Sequence, residues 1–191
     1  MLASITPLGE RGRGQRWWLT VAALTVGGGV SGAAVGASLA AVGAVLPLDA
    51  SSRLASLLAV GAVALAVALL GVPVPTHRRQ VDDAWLHRYR GWVYGLGFGV
   101  QLGAGVWTIV TTEAVYVTLA AEALAPSAAA GAAIGAVFGV LRGLSVLATA
   151  RVDSPARLTA FHRWLHRWER LAHRGALAGQ AAVLVAAAAT L

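Results

Sequence analysis

The sequence predicts an all-α, polytopic membrane fold, and three observations carry that prediction. Apolar residues make up 58% of the 191-residue chain and charged residues only 12%. The apolar residues gather into runs of the ~18 or more that read as membrane crossings. The charges gather between those runs, in short arginine-rich blocks of the kind that loops at a membrane carry. A single integral membrane domain follows, with five transmembrane helices at 17–46, 53–72, 91–121, 127–150 and 175–191, and amphipathic interfacial helices at 76–90 and 155–173 on the cytoplasmic side.

Residues 1–16 hold Pro7, Gly9, Gly12 and Gly14 among Arg11, Arg13 and Arg16, and read as a basic lead-in with little structure of its own. Ala37-Ser38-Leu39-Ala40 imitates a cleavage site, but the apolar run 17–46 is too long for a signal peptide, so an uncleaved first helix is expected. Gly28, Gly32 and Gly36 recur in it at four-residue spacing, which opens a groove for close helix contact. The second run, 53–72, has no charge after Arg53 and ends at Pro73 and Pro75.

The block 76–90 sets Arg78, Arg79, Arg88 and Arg90 against Asp82 and Asp83. The third run, 91–121, carries two patterns. Gly95, Gly99 and Gly103 form a packing groove, while Gln101, Gly105, Thr108 and Thr112 form a polar stripe on another helical face. In the fourth, Gly131, Gly135, Gly139 and Gly143 recur at every fourth position, with Arg142 inside the arc of that groove. Arg142 is therefore expected to face a helix bundle, where a charge at membrane depth marks a functional site.

Residues 155–173 form a basic amphipathic helix with Leu158, Phe161, Leu165, Trp168 and Ala172 on one side. His162, His166 and His173 flank that side, and Arg163, Arg167, Arg170 and Arg174 occupy the outer face. Such a helix is expected to lie on the bilayer with its arginines toward anionic lipid headgroups. His162 and His166 stand one turn apart, a metal-ligand spacing that His87 completes if the two basic blocks meet; surface or pH-sensing duty is the plainer expectation.

Arginines crowd residues 1–16, 76–90 and 151–174, so these segments are expected in the cytoplasm, with the N-terminus inside and the C-terminus outside. Every basic residue other than histidine is arginine, a composition typical of a GC-rich bacterial genome, and the cytoplasmic membrane is the expected location. The net charge of +7 is accounted for by loops at a membrane, and no nucleic-acid partner is expected. The absence of cysteine excludes disulfides, thiolate metal sites and thiol relays.

Trp85-Leu86-His87-Arg88 matches Trp164-Leu165-His166-Arg167 at an offset of 164 − 85 = 79, which also places Gln101 on Gln180 and raises an internal duplication. Counting ~1.5 Å per residue from the cytoplasmic ends puts Gln101, Arg142 and Gln180 in one layer, with Arg142 ~14 Å inside. A guanidinium with two amides can hold a carboxylate, phosphate or similar oxyanion in transit. Alternatively, Arg142 serves as a clamp on backbone carbonyls.

Short Gly- and Ala-rich helices, runs such as Gly95-Leu96-Gly97-Phe98-Gly99 and a related pair of basic units resemble the LysE and CcdA superfamily of small exporters and thiol-relay membrane proteins. The resemblance implies a small exporter. Thiol-relay chemistry does not extend to this chain, because Ile5-Thr6-Pro7-Leu8-Gly9 has no cysteine. The expected role is a transporter or exporter subunit for a small anionic or polar solute, acting through Arg142, Gln101, Gln180, Thr108 and Thr112. It is expected to need no cofactor, and three glycine-grooved helices imply a homo-oligomer or a larger complex. The alternative is a non-transporting subunit that docks a partner through its arginine-, histidine- and tryptophan-rich helices. No phosphate loop, nucleophile elbow or carboxylate pair supports an enzyme.

Overall fold

A computed structural model describes residues 5–76, 84–107, 110 and 112–189, with the side chain of His87 also outside the described part. Among them every regular element is helical: α1 (Pro7–Gly12), α2 (Trp17–Gly43), α3 (Ala50–Leu69), α4 (Ala84–Arg88), α5 (Gly91–Gly103), α6 (Ala114–Ala123), α7 (Ala128–Leu144) and α8 (Pro155–Ala188), with a 3-10 turn at Ser145–Thr149. Four helical stretches are long and apolar enough to cross a membrane: Trp17–Gly43, Ala50–Leu69, Ala128–Thr149 and Pro155–Ala188.

The bundle is built round α2. Its glycines meet two partners at once: a Cβ built at Gly32 or Gly36 would overlap the carbonyls of Gly135 or Gly131 on α7, and one at Gly28 would lie 2.6 Å from the Gly139 carbonyl. On the other side, Gly95, Gly99 and Gly103 of α5 seat on the carbonyls of Thr20, Leu24 and Gly28. Backbones meet this closely because at each contact a glycine presents no Cβ to the facing carbonyl, and dispersion between backbones then holds them. The predicted glycine grooves are thus filled within one chain.

The N-terminal segment departs from the expected unstructured lead-in. Thr6 caps α1, its hydroxyl accepting from Gly9 N at 3.0 Å, and Ile5, Thr6 and Glu10 are buried. Ile5 O accepts from Trp17 Nε1 and Thr149 Oγ1, and Leu8 N donates to Val152 O at 3.0 Å. The segment therefore closes one end of the bundle over Trp17, Val21, Leu24, Tyr94, Phe98 and Val146. Arginine spacing hid this, because three charges drew attention from the apolar Ile5 and the capping Thr6 ahead of them.

Glu10 is the polar centre of that end and is fully buried. It accepts from Arg13 Nη2 at 2.6 Å, from Thr20 Oγ1 at 2.7 Å and from the Tyr94 hydroxyl. Three donors compensate the cost of burying the charge and tie α1, α2 and α5 together. Tyr94→Phe should lower stability by about 1–2 kcal/mol, read as a fall in thermal midpoint in detergent. An unchanged midpoint would show that the network holds nothing together.

Two further boundaries differ from expectation. The third run is not one helix over 91–121, since α5 stops at Gly103 and α6 begins at Ala114. The expected interfacial helix 155–173 and crossing 175–191 are one continuous 34-residue helix, α8. Ser154 caps its start, and neither proline nor a positive-φ glycine interrupts it; Gly175 and Gly179 keep ordinary helical backbone. Of the interfacial segment 76–90, only α4 is helical among the described residues, and 77–83 lie outside them.

The two related basic units also sit differently. Leu86 is buried and Trp85 stacks at 6.3 Å on Phe98, whereas Trp164 is exposed. Asp49 caps the start of α3, and its carboxylate is held below its usual range first by the hydroxyl and backbone N–H of Ser52.

Candidate functional site at a helix break

The break between α5 and α6 begins where Gly105 takes a left-handed φ of +73°, a conformation that excludes other residues at little cost only for glycine. Residues 108–112 then read Thr-Ile-Val-Thr-Thr, a β-branched run with poor helix propensity, and among the described residues the next helix begins at Ala114. Ala104 and Val110 are buried and Gly105 faces Val115, Leu119 and Phe138, while Trp107 and Thr112 are exposed. Val110 N donates to Thr76 Oγ1 at 2.7 Å, and the Tyr116 hydroxyl donates to Pro75 O, so the chain beyond α3 braces the break.

A helix that ends inside a bundle leaves carbonyls without intrahelical partners. Arg142 supplies donors to them. Its Nη1 lies 2.9 Å from Leu102 O and 3.4 Å from Gly105 O, with the guanidinium 5.3 Å above the Phe138 ring. The positive group also meets the negative end of the α5 dipole. The opposite end of the bundle repeats the device: Arg53 donates to Leu124 O and Ala125 O at 3.4 Å, and to Gly43 O and Leu48 O. Both guanidiniums thus join helix ends through carbonyls.

The predicted site residues separate into groups. Gln101 is half-buried in the last turn of α5, one residue from the Leu102 carbonyl that Arg142 holds. Gln180 lies on α8 and its Nε2 reaches Gly61 O of α3 at 3.5 Å, so it serves the α3–α8 contact. The polar stripe does not form on one helix, because Gly105 sits in the turn and Thr112, exposed, precedes α6; Thr108 lies outside the described residues. His162 and His166 are exposed on α8, with His166 Nδ1 3.7 Å from Glu169 Oε2. Among the described residues no three histidine or carboxylate side chains converge as a metal site would need.

Sequence reasoning missed the break itself and Glu122, which α6 buries at 1% exposure. The Gly-Ala-Gly at 103–105 ahead of five β-branched residues was the available signal for the first. Comparison with protein-family models, curated proteins and solved structures returns no match.

Proposed function

We propose that this chain is a five-pass protein of the bacterial cytoplasmic membrane, N-terminus inside, that carries a small anionic or polar solute past the α5–α6 break. The observation that carries this reading is the break between α5 and α6, which at Ala104 and Gly105 is buried against α6 and α7. Irregular backbone is tolerated at membrane depth only where protein buries it or a water-filled path runs beside it, and broken helices are where transporters place their sites. α5 and α6 together would make the third pass. Arg142 contributes positive charge beside the break while holding its carbonyls, Gln101 supplies an amide at the same level, and Thr112 lies at its far end. The layout is in keeping with the LysE and CcdA superfamily.

The cysteine-free chain lends itself to a direct test. In vesicles, Gln101→Cys should react with a membrane-impermeant methanethiosulfonate, and Val137→Cys, on the outer face of α7, should not. If Gln101→Cys resists while Arg11→Cys reacts, the reading fails.

A second reading draws on α8, which at ~1.5 Å per residue is ~51 Å long. None of its residues is buried, and it meets the bundle chiefly along α3. With Trp164 and Trp168 exposed among arginines, this half of α8 is suited to anionic headgroups or to a docking partner. Replacing Arg163 and Arg167 by glutamate should then abolish binding to phosphatidylglycerol vesicles or partner capture while leaving Gln101→Cys labelling unchanged.

A further inference from the structure

Two carboxyl groups are fully enclosed in this bundle, and their surroundings differ. Glu10 has three donors. Glu122, in the last turn of α6, is 1% exposed, and its Oε2 is buried with no hydrogen-bond partner among the described residues. Its Oε1 would lie 3.1 Å from a Cβ at Gly135, the position where α7 seats on Gly32 of α2. Glu122 therefore occupies the junction of α2, α6 and α7. A side chain at Gly135 would press on this carboxyl and overlap the Gly32 carbonyl.

Among the described residues, no cation answers it from the helices around it. α2 has no titratable side chain from Trp17 to Gly43. α7 offers Arg142, which is 142 − 135 = 7 residues beyond Gly135, ~10 Å along the axis, and is engaged at Leu102 and Gly105. α3 offers Arg53, whose donors reach the carbonyls of Leu48, Gly43, Leu124 and Ala125. On α6 itself, the nearest other acid is Glu113, at the opposite end of the helix. An enclosed carboxylate with neither cation nor donor among the described residues is costly, and within a membrane bundle such a group marks a relay or coupling site by default.

We propose that Glu122 is a proton-binding site, which takes up a proton when the α2–α6–α7 junction closes and gives it up to water when the junction opens. On uptake one O–H bond of a hydronium ion breaks and one forms on the carboxylate, leaving water; no electron is transferred. For what the proton drives, the proposal rests on the solute-carrier reading: the proton is the coupling ion of that movement. The binding itself requires no solute.

Infrared difference spectroscopy of the full chain in liposomes tests it. Between acidic and alkaline buffer, a carbonyl stretch of a protonated carboxylic acid should disappear, and this band should be lost entirely in Glu122→Gln and kept in Glu113→Gln. Should Glu122→Gln fail to fold, Glu122→Asp serves instead, moving the band and its titration midpoint. The proposal is overturned if no such band titrates, if Glu122→Gln retains it or Glu122→Asp leaves it in place, or if it persists unchanged into alkali as a sealed acid. A titrating band with unreactive Gln101→Cys would keep the proton site and reject the carrier; the converse would keep the carrier and reject the proton site.

Discussion

Gly139→Leu is expected to abolish the assembled bundle, leaving a chain that aggregates or elutes as an open species in detergent. The contact opposite Gly139 is the Gly28 carbonyl, which is backbone, so no rotamer change can relieve the overlap. Nor can α2 simply retreat. Gly28 and its neighbours are seated on Gly99 and Gly103 of α5 on the opposite side, so a shift away from α7 drives α2 into a second close contact. Overpacking a core typically costs about 1–3 kcal/mol, and a branched side chain wedged between two backbones exceeds that range. Set against the ~5–15 kcal/mol that holds most domains folded, the loss is decisive. Gly179→Ala on α8 is the control. Nothing lies near a Cβ there, and removing glycine from a helix interior should raise stability by up to about 1 kcal/mol. Equal thermal midpoints for the two variants would refute the α2-centred packing.

Arg142→Ala should destabilise the protein by about 2–5 kcal/mol, because the buried carbonyls of Leu102 and Gly105 each lose a charged donor. The damage should be local as well as global. Amide exchange in the last turn of α5 and at 104–107 should accelerate, while the Glu10 end of the bundle keeps its protection. Arg142→Lys keeps the charge but loses the planar fork, and should fall between. An arginine that bound only a solute would behave differently, with transport lost and exchange at α5 unchanged. Unaltered protection in Arg142→Ala would thus remove the clamp.

The helical class and its grooves were legible in the sequence because they depend on periodicity. Gly95, Gly99 and Gly103, and Gly131, Gly135 and Gly139, could be assigned to packing faces from spacing alone. What they packed against was not legible, since a groove names no partner; both sets proved to meet α2. Arg142 could be read as facing a bundle, but whether it meets a solute or a carbonyl depends on where α5 ends, and an apolar run looks the same whether its helix continues or breaks. Gln180 was placed beside Arg142 by depth counting along five separate spans. Because α8 runs continuously from Pro155, it carries Gln180 to α3 instead. Depth along a helix constrains height and says nothing about which neighbour shares it.

Composition and period, which are properties of the chain itself, thus determined an all-helical molecule with membrane-length apolar spans, glycine grooves, basic blocks and no thiol chemistry. Tertiary structure alone decided that α2 is the centre, that residues 5–16 fold beneath the bundle, that the third apolar run is broken under Arg142, and that among the described residues Glu10 is answered while Glu122 is not. Each of these depends on segments far apart in sequence coming within a few ångströms, and hydrogen bonding, helix ends and unpaired charge are settled only at that range.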